Sequence, residues 1–398
     1  MTPPSLASER LFTPAFVLLI SGQLLQALGF SSMLLLPPYL EQLGASREQI
    51  GWFQQSLPAL AGLACRPLVA VALDRWGRRP TLMLGTLCLV AGMESMFLVD
   101  ALGPWLYASR LLYGIGAGAL FSSYFAFASD LVPTHRRTEG LALFGIAGLL
   151  PMTLNPLVQR LGLDPPELRL YFPLLGIVIA ASLIPLAILR EPLAKGGPPV
   201  PRPHVLKALA VRQLWPVWLA SVVFASLVAV FMTFVTVSAE ARGIQDSAAV
   251  WLTYGGGAIT VRLLGSRVPD RVGPHNLVAP ALAAYCLGFV VATQATDSTG
   301  FLVAGLCAGI GHGYCFPVLT SQVVTRVDAA WRGSALTLFT ALWSACELAL
   351  TPLCGRLADT LGDATLFGGV AAVGVGALAL WVVAEQVWGA GPEEPAAA

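Results

Sequence analysis

Six ionisable side chains fall inside apolar stretches of this sequence: Arg66, Glu94, Arg110, Arg262, His312 and Glu347. An unpaired charge at the centre of a hydrocarbon layer costs at least about 2.5–3.5 kcal/mol, so each should face protein or water and find a partner. Glu347 lies near the middle of its stretch, where low dielectric favours the neutral form that a proton carrier needs. His312 stands between two glycines and is chemically suited to proton exchange, although a lone histidine there also fits simple packing. Glu94 and Arg110 flank a short turn centred on residue 102. An antiparallel hairpin would bring them to similar depth, as a static pair or as competitors for a proton.

A second cluster is denser: Asp74-Arg75-Trp76-Gly77-Arg78-Arg79. Asp74 ends a helical stretch, where a carboxylate meets the negative pole of the helix dipole and needs cationic partners. Arg75, Arg78 and Arg79 are the local candidates, and Asp130 ends another stretch on the same side. The three arginines alone would fit a solvated loop that signals topology.

Other chemistry is excluded by what the residues are not. There is no nucleotide-binding lysine loop, no Ser/His/Asp arrangement and no His/Cys cluster with metal-ligand spacing. All seven cysteines lie in or beside apolar runs and read as small buried hydrophobes. The expectation is a protein that is not an enzyme and holds no metal and no other cofactor. A net charge of +1 gives no reason to expect a nucleic-acid partner.

The elements that must position these residues follow from composition. The 398 residues are 56% hydrophobic and 11% charged, with a mean hydropathy of +0.73. A soluble chain would carry about 25% charge. Apolar runs near twenty residues each can cross a hydrocarbon core of roughly 30 Å at 1.5 Å per residue. The expected class is an all-α membrane protein with the lipid bilayer as partner. Twelve transmembrane helices are placed near 14–37, 50–73, 81–99, 105–130, 140–159, 171–189, 214–239, 248–268, 276–296, 301–325, 334–354 and 365–387. The first run is too long for a cleaved signal and reads as a true span. With the termini inside, fifteen Lys/Arg lie on inner segments and five on outer ones. That asymmetry puts both termini and the Asp74 cluster in the cytoplasm of a cell with this protein in its inner membrane.

The proline-rich stretch 190–213 reads as an extended cytoplasmic linker. It separates an N-terminal six-helix bundle (1–189) from a C-terminal one (214–388), with 389–398 as a disordered tail. The bundles are repeats. Arg66, Asp74, Arg75 and Gly77 recur as Arg262, Asp270, Arg271 and Gly273, each 196 residues later. Gly114-x-Gly116-x-Gly118 recurs as Gly309-x-Gly311-x-Gly313, and Arg137, Leu141 and Phe144 recur as Arg332, Leu336 and Phe339, all at 195. Two parallel repeats fit a transporter that rocks one half against the other around a midplane site. The glycine triplets lie mid-span with no strand before them and read as close helix packing rather than as a phosphate loop.

These features resemble the major facilitator superfamily over the whole chain: two bundles, a long central loop, and Asp74-Arg75-x-Gly77-Arg78-Arg79 in the place of the family's loop signature. Ala70 departs from the usual leading glycine. Arg110-x-x-x-Gly114-x-Gly116 is similar to the family's arginine-glycine motif, which is linked with proton coupling. Gly145-x-x-Gly148-x-x-Pro151 loosely resembles the antiporter motif. Arg66-Pro67-Leu68 and the Gly-His-Gly around His312 resemble bacterial efflux permeases. The resemblance implies a gate of Asp74, Arg78 and Asp130 that latches spans 2 and 11, with Asp270 and Arg271 as the weaker counterpart. It implies that Arg66 can reach toward Glu347 across the interface, with Arg262 its repeat equivalent. It also places spans 1, 4, 7 and 10 around a cavity. Those spans would contribute Gln23, Gln26, Tyr113, Tyr124, Phe231, Phe234, His312 and Tyr314, with Trp343 one turn from Glu347. Gly355-Arg356-Leu357-Ala358-Asp359-Thr360-Leu361-Gly362 mimics the loop signature but falls on the outer face and reads as a decoy.

The expected function is proton-coupled export of a small amphipathic organic solute by a monomer, through alternating access. Uptake or facilitated diffusion of a sugar-like solute is the first alternative. A non-transporting receptor or lipid scramblase is the second.

Overall fold

The computed structural model describes residues 11–133, 137–162, 165–191, 205–244, 246–265, 268–328 and 331–389. Its regular elements are helical, with no strand among the described residues. Nine described helices are long and apolar enough to cross a membrane. In chain order they are α1 (Pro14–Gln42), α2 (Arg47–Leu73, helical on to Arg75), α3 (Arg78–Leu98), α6 (Glu167–Ile188), α7 (Arg212–Ala241), α9 (Pro274–Gln294), α10 (Ser298–Thr325), α11 (Arg332–Leu361) and α12 (Asp363–Gly389). Between them stand α4 (Pro104–Leu131), α5 (Arg137–Leu149, running on through Asn155–Arg160) and α8 (Val250–Leu264).

Local chemistry sets the ends. Thr13 accepts the Phe16 N–H at 3.2 Å and Pro14 opens α1, so one orphan donor is capped and the missing proline N–H costs nothing. Ser46 and Gln49 form a reciprocal capping box at the start of α2. Gly77, at φ +99°, turns the chain from α2 into α3. The Glu191 carboxylate accepts the N–H groups of Arg78 and Arg79 at 3.0 and 2.8 Å. An anion thus occupies the positive end of α3.

Of the linker, 192–204 lie outside the described residues, as do 390–398 of the tail. The described end of the linker is not extended. Residues Val205–Ala210 wind into a 3-10 turn, and the indoles of Trp215 and Trp218 donate to the carbonyls of Leu209 and Ala208 at 2.9 and 3.4 Å.

The glycine triplets set the packing inside each half. A Cβ at Gly114 or Gly118 would collide with the backbone of α2, at Pro58 and Gly62, and one at Gly116 would collide with α3 at Leu89. In the repeat, Gly309 and Gly313 meet α8 at Tyr254 and Ala258, and Gly311 meets α9 at Ala281 and Tyr285. Alternate glycines along one helix therefore let two neighbours approach on adjacent faces. The C-terminal half is centred on α7, most of whose residues are buried.

The halves close on each other at the end of α2 that carries Arg47. Gly51 lies against the Thr351 carbonyl and Gly355 against the Arg47 carbonyl, backbone to backbone. Ser56 Oγ donates toward the Leu348 carbonyl at 2.9 Å and shares a hydrogen bond with Thr351 Oγ1 at 3.0 Å. Nearby, Gln159 at the end of α5 donates to Ser247 Oγ and accepts the Ala248 N–H, both at 2.6 Å.

Candidate functional site

A cavity of about 360 Å³ lies between the halves and draws its walls from both. Of the residues singled out from sequence, Gln23, Gln26, Arg66, Tyr113, Tyr124, Arg262, His312, Trp343 and Glu347 all line it. Its ionisable lining among the described residues is two arginines, one histidine and one carboxyl, apart from tyrosine hydroxyls.

Glu347 is held by its own helix. Trp343 Nε1, one turn earlier, donates to Glu347 Oε1 at 2.8 Å. The expected contact from Arg66 does not form. Arg66 crosses from α2 to α11 but binds one to two turns away, donating to Thr340 Oγ1 at 2.8 Å, the Thr340 carbonyl at 2.7 Å and Ser344 Oγ at 3.2 Å. A planar guanidinium fits this set of divergent acceptors, which one ammonium could not span. Arg262 crosses the other way, from α8 to α5. Its Nη1 lies 2.5 Å from where a Cβ on Gly145 would be.

His312 shares a 2.7 Å hydrogen bond with the Tyr254 hydroxyl through Nδ1 and rests edge-on to the Phe224 ring. Tyr254 and Tyr285 hydroxyls lie 3.1 Å apart behind it. Gln26 is committed to structure, donating to Thr86 Oγ1 at 2.6 Å and Ser182 Oγ at 3.1 Å, so it ties α1 to α3 and α6. The Tyr124 hydroxyl is buried with no hydrogen-bond partner among the described residues. Aromatic rings from opposite halves meet here: Phe121 and Phe125 of α4 lie 6.2 and 6.0 Å from Phe316 of α10.

Three expected cavity residues lie elsewhere. Phe231 is fully buried against Trp251, Tyr254, Tyr285 and Phe289, and Phe234 is buried with it inside the C-terminal half. Val228 and Met232 take their place on the cavity face. An all-round apolar helix gives no sequence sign of which face looks inward. Tyr314 packs its hydroxyl against Gly265 at the end of α8, because its neighbours Gly311 and Gly313 turn that side of α10 toward α8 and α9.

The expected Glu94–Arg110 pair does not form either. Arg110 shares a stripe with Gly114 and Gly118, and that stripe faces α2 rather than α3. Fully buried, its Nε donates to the Phe53 carbonyl at 2.7 Å and Nη2 to the Gln54 carbonyl at 3.1 Å. Phe53 and Gln54 belong to a π-helical turn, Trp52–Ser56, whose wider winding releases carbonyls from the usual ladder. Tyr113 lies under the guanidinium, 4.5 Å from carbon to ring centre. Glu94 ends the α-helical part of α3 and points at Gly176 of α6.

In the Asp74 cluster, Arg78 Nε and Asp130 Oδ2 pair at 3.2 Å. Arg79 uses its backbone N–H on Glu191, and Arg75 and Arg271 are exposed. The side chains of Asp74 and Asp270 lie outside the described residues.

Sequence reasoning missed Asp359. Its carboxylate accepts the N–H of Arg47 at 2.8 Å and of Glu48 at 3.0 Å, across the two halves. Arg47 in turn pairs with Glu41 at 2.7 Å and Asp363 at 3.3 Å. The stretch set aside as a decoy thus binds α11 to the first turn of α2. Glu191, Thr340 and Ser344 were missed too; only their distance in sequence hid them.

Residues 19–348 match the sequence profile of the Major Facilitator Superfamily. The chain belongs to that family. Its nine described helices long and apolar enough to cross a membrane agree with that membership. It is 25% identical over 276 residues to the MFS-type transporter dbaD of Emericella nidulans, covering 64% of this chain and 60% of dbaD. It is 30% identical over 179 residues to the multidrug resistance protein MdtL of Klebsiella pneumoniae, covering 42% of this chain and 43% of MdtL. The matches thus span less than two thirds of either relative. A POT family transporter solved in complex with 5-aminolevulinic acid superposes with a TM-score of 0.79 at 14% identity, over 94% of this chain and 96% of that one. That likeness speaks to the fold of this superfamily member and to nothing finer.

Proposed function

We propose that this superfamily transporter is a proton-coupled exporter of a small amphipathic organic solute, working by alternating access. The observation that carries the reading is the placing of Glu347. It faces the shared cavity, on the helix that closes against α2, with an indole donor on one oxygen. A carboxyl at that point can take a proton from one side and release it to the other as the halves rock. The aromatic walls suit a solute with an apolar body.

The contacts between the halves support a state closed at the Asp359 end. There the backbones touch through Gly51 and Gly355. Toward the other end, the described contacts between halves are long side chains and rings: Arg66, Arg262 and Phe121/Phe125 on Phe316. With the termini in the cytoplasm, as the basic residues argue, the closed end is the outer one and the cavity faces inward. We take the protein as an inner-membrane monomer. Its halves are 1–189 and 214–388, with 190–213 as the linker. Asp74, Arg78 and Asp130, seconded by Asp270 and Arg271, serve as the inner gate when the halves reverse. His312, on the cavity wall, assists coupling by position.

The test is accumulation of candidate solutes in cells with and without the gene, with and without a protonophore. Export predicts that deletion and protonophore each raise accumulation and do not add. Accumulation that neither treatment changes, across a solute set that includes acids, bases and neutral compounds, removes the reading.

A further inference from the structure

We infer that the solute carries a carboxylate or a comparable monovalent oxyanion, and that Arg262 is the group that receives it. This deepens the transporter reading and rests on it. The argument starts from the repeat. Arg66 and Arg262 are equivalent residues, 196 apart, and both line the cavity. Each crosses to the other half, and the positions they reach are equivalent too. Thr340 follows Phe339 as Gly145 follows Phe144, at the offset of 195 that relates those helices.

The pair differs in what it finds there. Thr340 offers Arg66 a hydroxyl and a carbonyl, and Ser344 offers a second hydroxyl. Gly145 offers Arg262 no side chain. Among the described residues Arg262 has no ion pair and no hydrogen bond, and its Nε is sealed from solvent without an acceptor. A guanidinium stays charged and has five donors to place. Leaving it unpaired in low dielectric is costly, so an acceptor is due. Arg66 is therefore spent on holding the halves, and Arg262 is left to bind.

Two further observations point to an anion. The Tyr124 hydroxyl lines the same cavity, 2% exposed, and has no hydrogen-bond partner among the described residues either. Glu347 is the one acidic residue among the described lining, against two arginines. With Glu347 ionised the arginines leave one positive charge over, and with Glu347 protonated they leave two. A planar oxyanion suits a free guanidinium edge bidentately, and the aromatic walls take its body.

Matched acids and amides test this on the purified full chain: benzoate and benzamide, 2-naphthoate and 2-naphthamide, octanoate and octanamide. The readout is the ligand concentration dependence of the thermal unfolding midpoint. At least one acid should stabilise the protein at least tenfold more tightly than its amide. R262Q should lose that preference, R262K should keep part of it, and R66Q should lower the starting midpoint yet retain it. G145S covers the case in which R262Q misfolds: it keeps the charge, gives Arg262 the hydroxyl that Arg66 already has, and should weaken the acid. Amides equal to acids, no acid binding at all, or acid binding untouched in both R262Q and G145S would overturn the inference. A neutral or cationic solute exported equally by wild type and R262Q would also overturn it, while leaving the exporter reading intact. Acid binding that depends on Arg262 in a protein with no proton-driven flux would do the reverse.

Discussion

The Asp359 carboxylate of α11 caps α2 across the interface, accepting the N–H groups of Arg47 and Glu48 at 2.8 and 3.0 Å. Both donors belong to the first turn of α2, where N–H groups lack partners in their own helix. The contact therefore combines two charge-assisted hydrogen bonds with a favourable dipole. It is an interaction between halves, so it exists only while this end is closed.

Asp359→Ala should destabilise the closed state by about 1–2 kcal/mol, the range for losing a carboxylate at a helix N-terminus. Its sign is seen in labelling. A cysteine placed at Glu48 in a background free of native cysteines should react several-fold faster with an impermeant reagent in D359A. Equal rates would show that the glycine contacts alone hold this end.

Those contacts are the second lever. The Cβ of any residue at Gly51 would overlap the Thr351 backbone. Backbone cannot yield as a flexible side chain can, so Gly51→Val should hold the outer end open and abolish transport while leaving membrane insertion intact. Wild-type flux from G51V would contradict the closed geometry.

Arg110 holds a π-helical turn rather than a proton partner. Arg110→Lys keeps the charge but cannot serve the Phe53 and Gln54 carbonyls together, and each buried acceptor left open costs about 1–3 kcal/mol. The unfolding midpoint should fall clearly. A stability equal to wild type, with only proton dependence lost, would return Arg110 to the coupling role.

Much of this was legible in the residues. Composition and run length read as membrane helices because nothing else buries so many apolar residues with so little charge. The glycine triplets read as packing because each removes a side chain at helical contact spacing. Nine expected site residues line one cavity because polar groups inside apolar helices have few other places to go. The failures share a cause. Phe231, Phe234 and Tyr314 sit on helices apolar on every face, where periodicity cannot show orientation. Depth alone suggests the Glu94–Arg110 pair, and depth says nothing of rotation about the helix axis. Asp359 lies in an imitation of a motif, whereas its partner is a helix terminus more than three hundred residues away.

The central claim is that Glu347 couples the proton gradient to the solute. Inside-out vesicles carrying wild type or Glu347→Gln, energised to an acidic lumen, test it directly with an exported solute. The account predicts that wild type accumulates the solute only while the gradient lasts. E347Q should still exchange it down its own gradient, at a rate the imposed pH difference does not alter. Gradient-driven accumulation by E347Q equal to wild type would contradict the account.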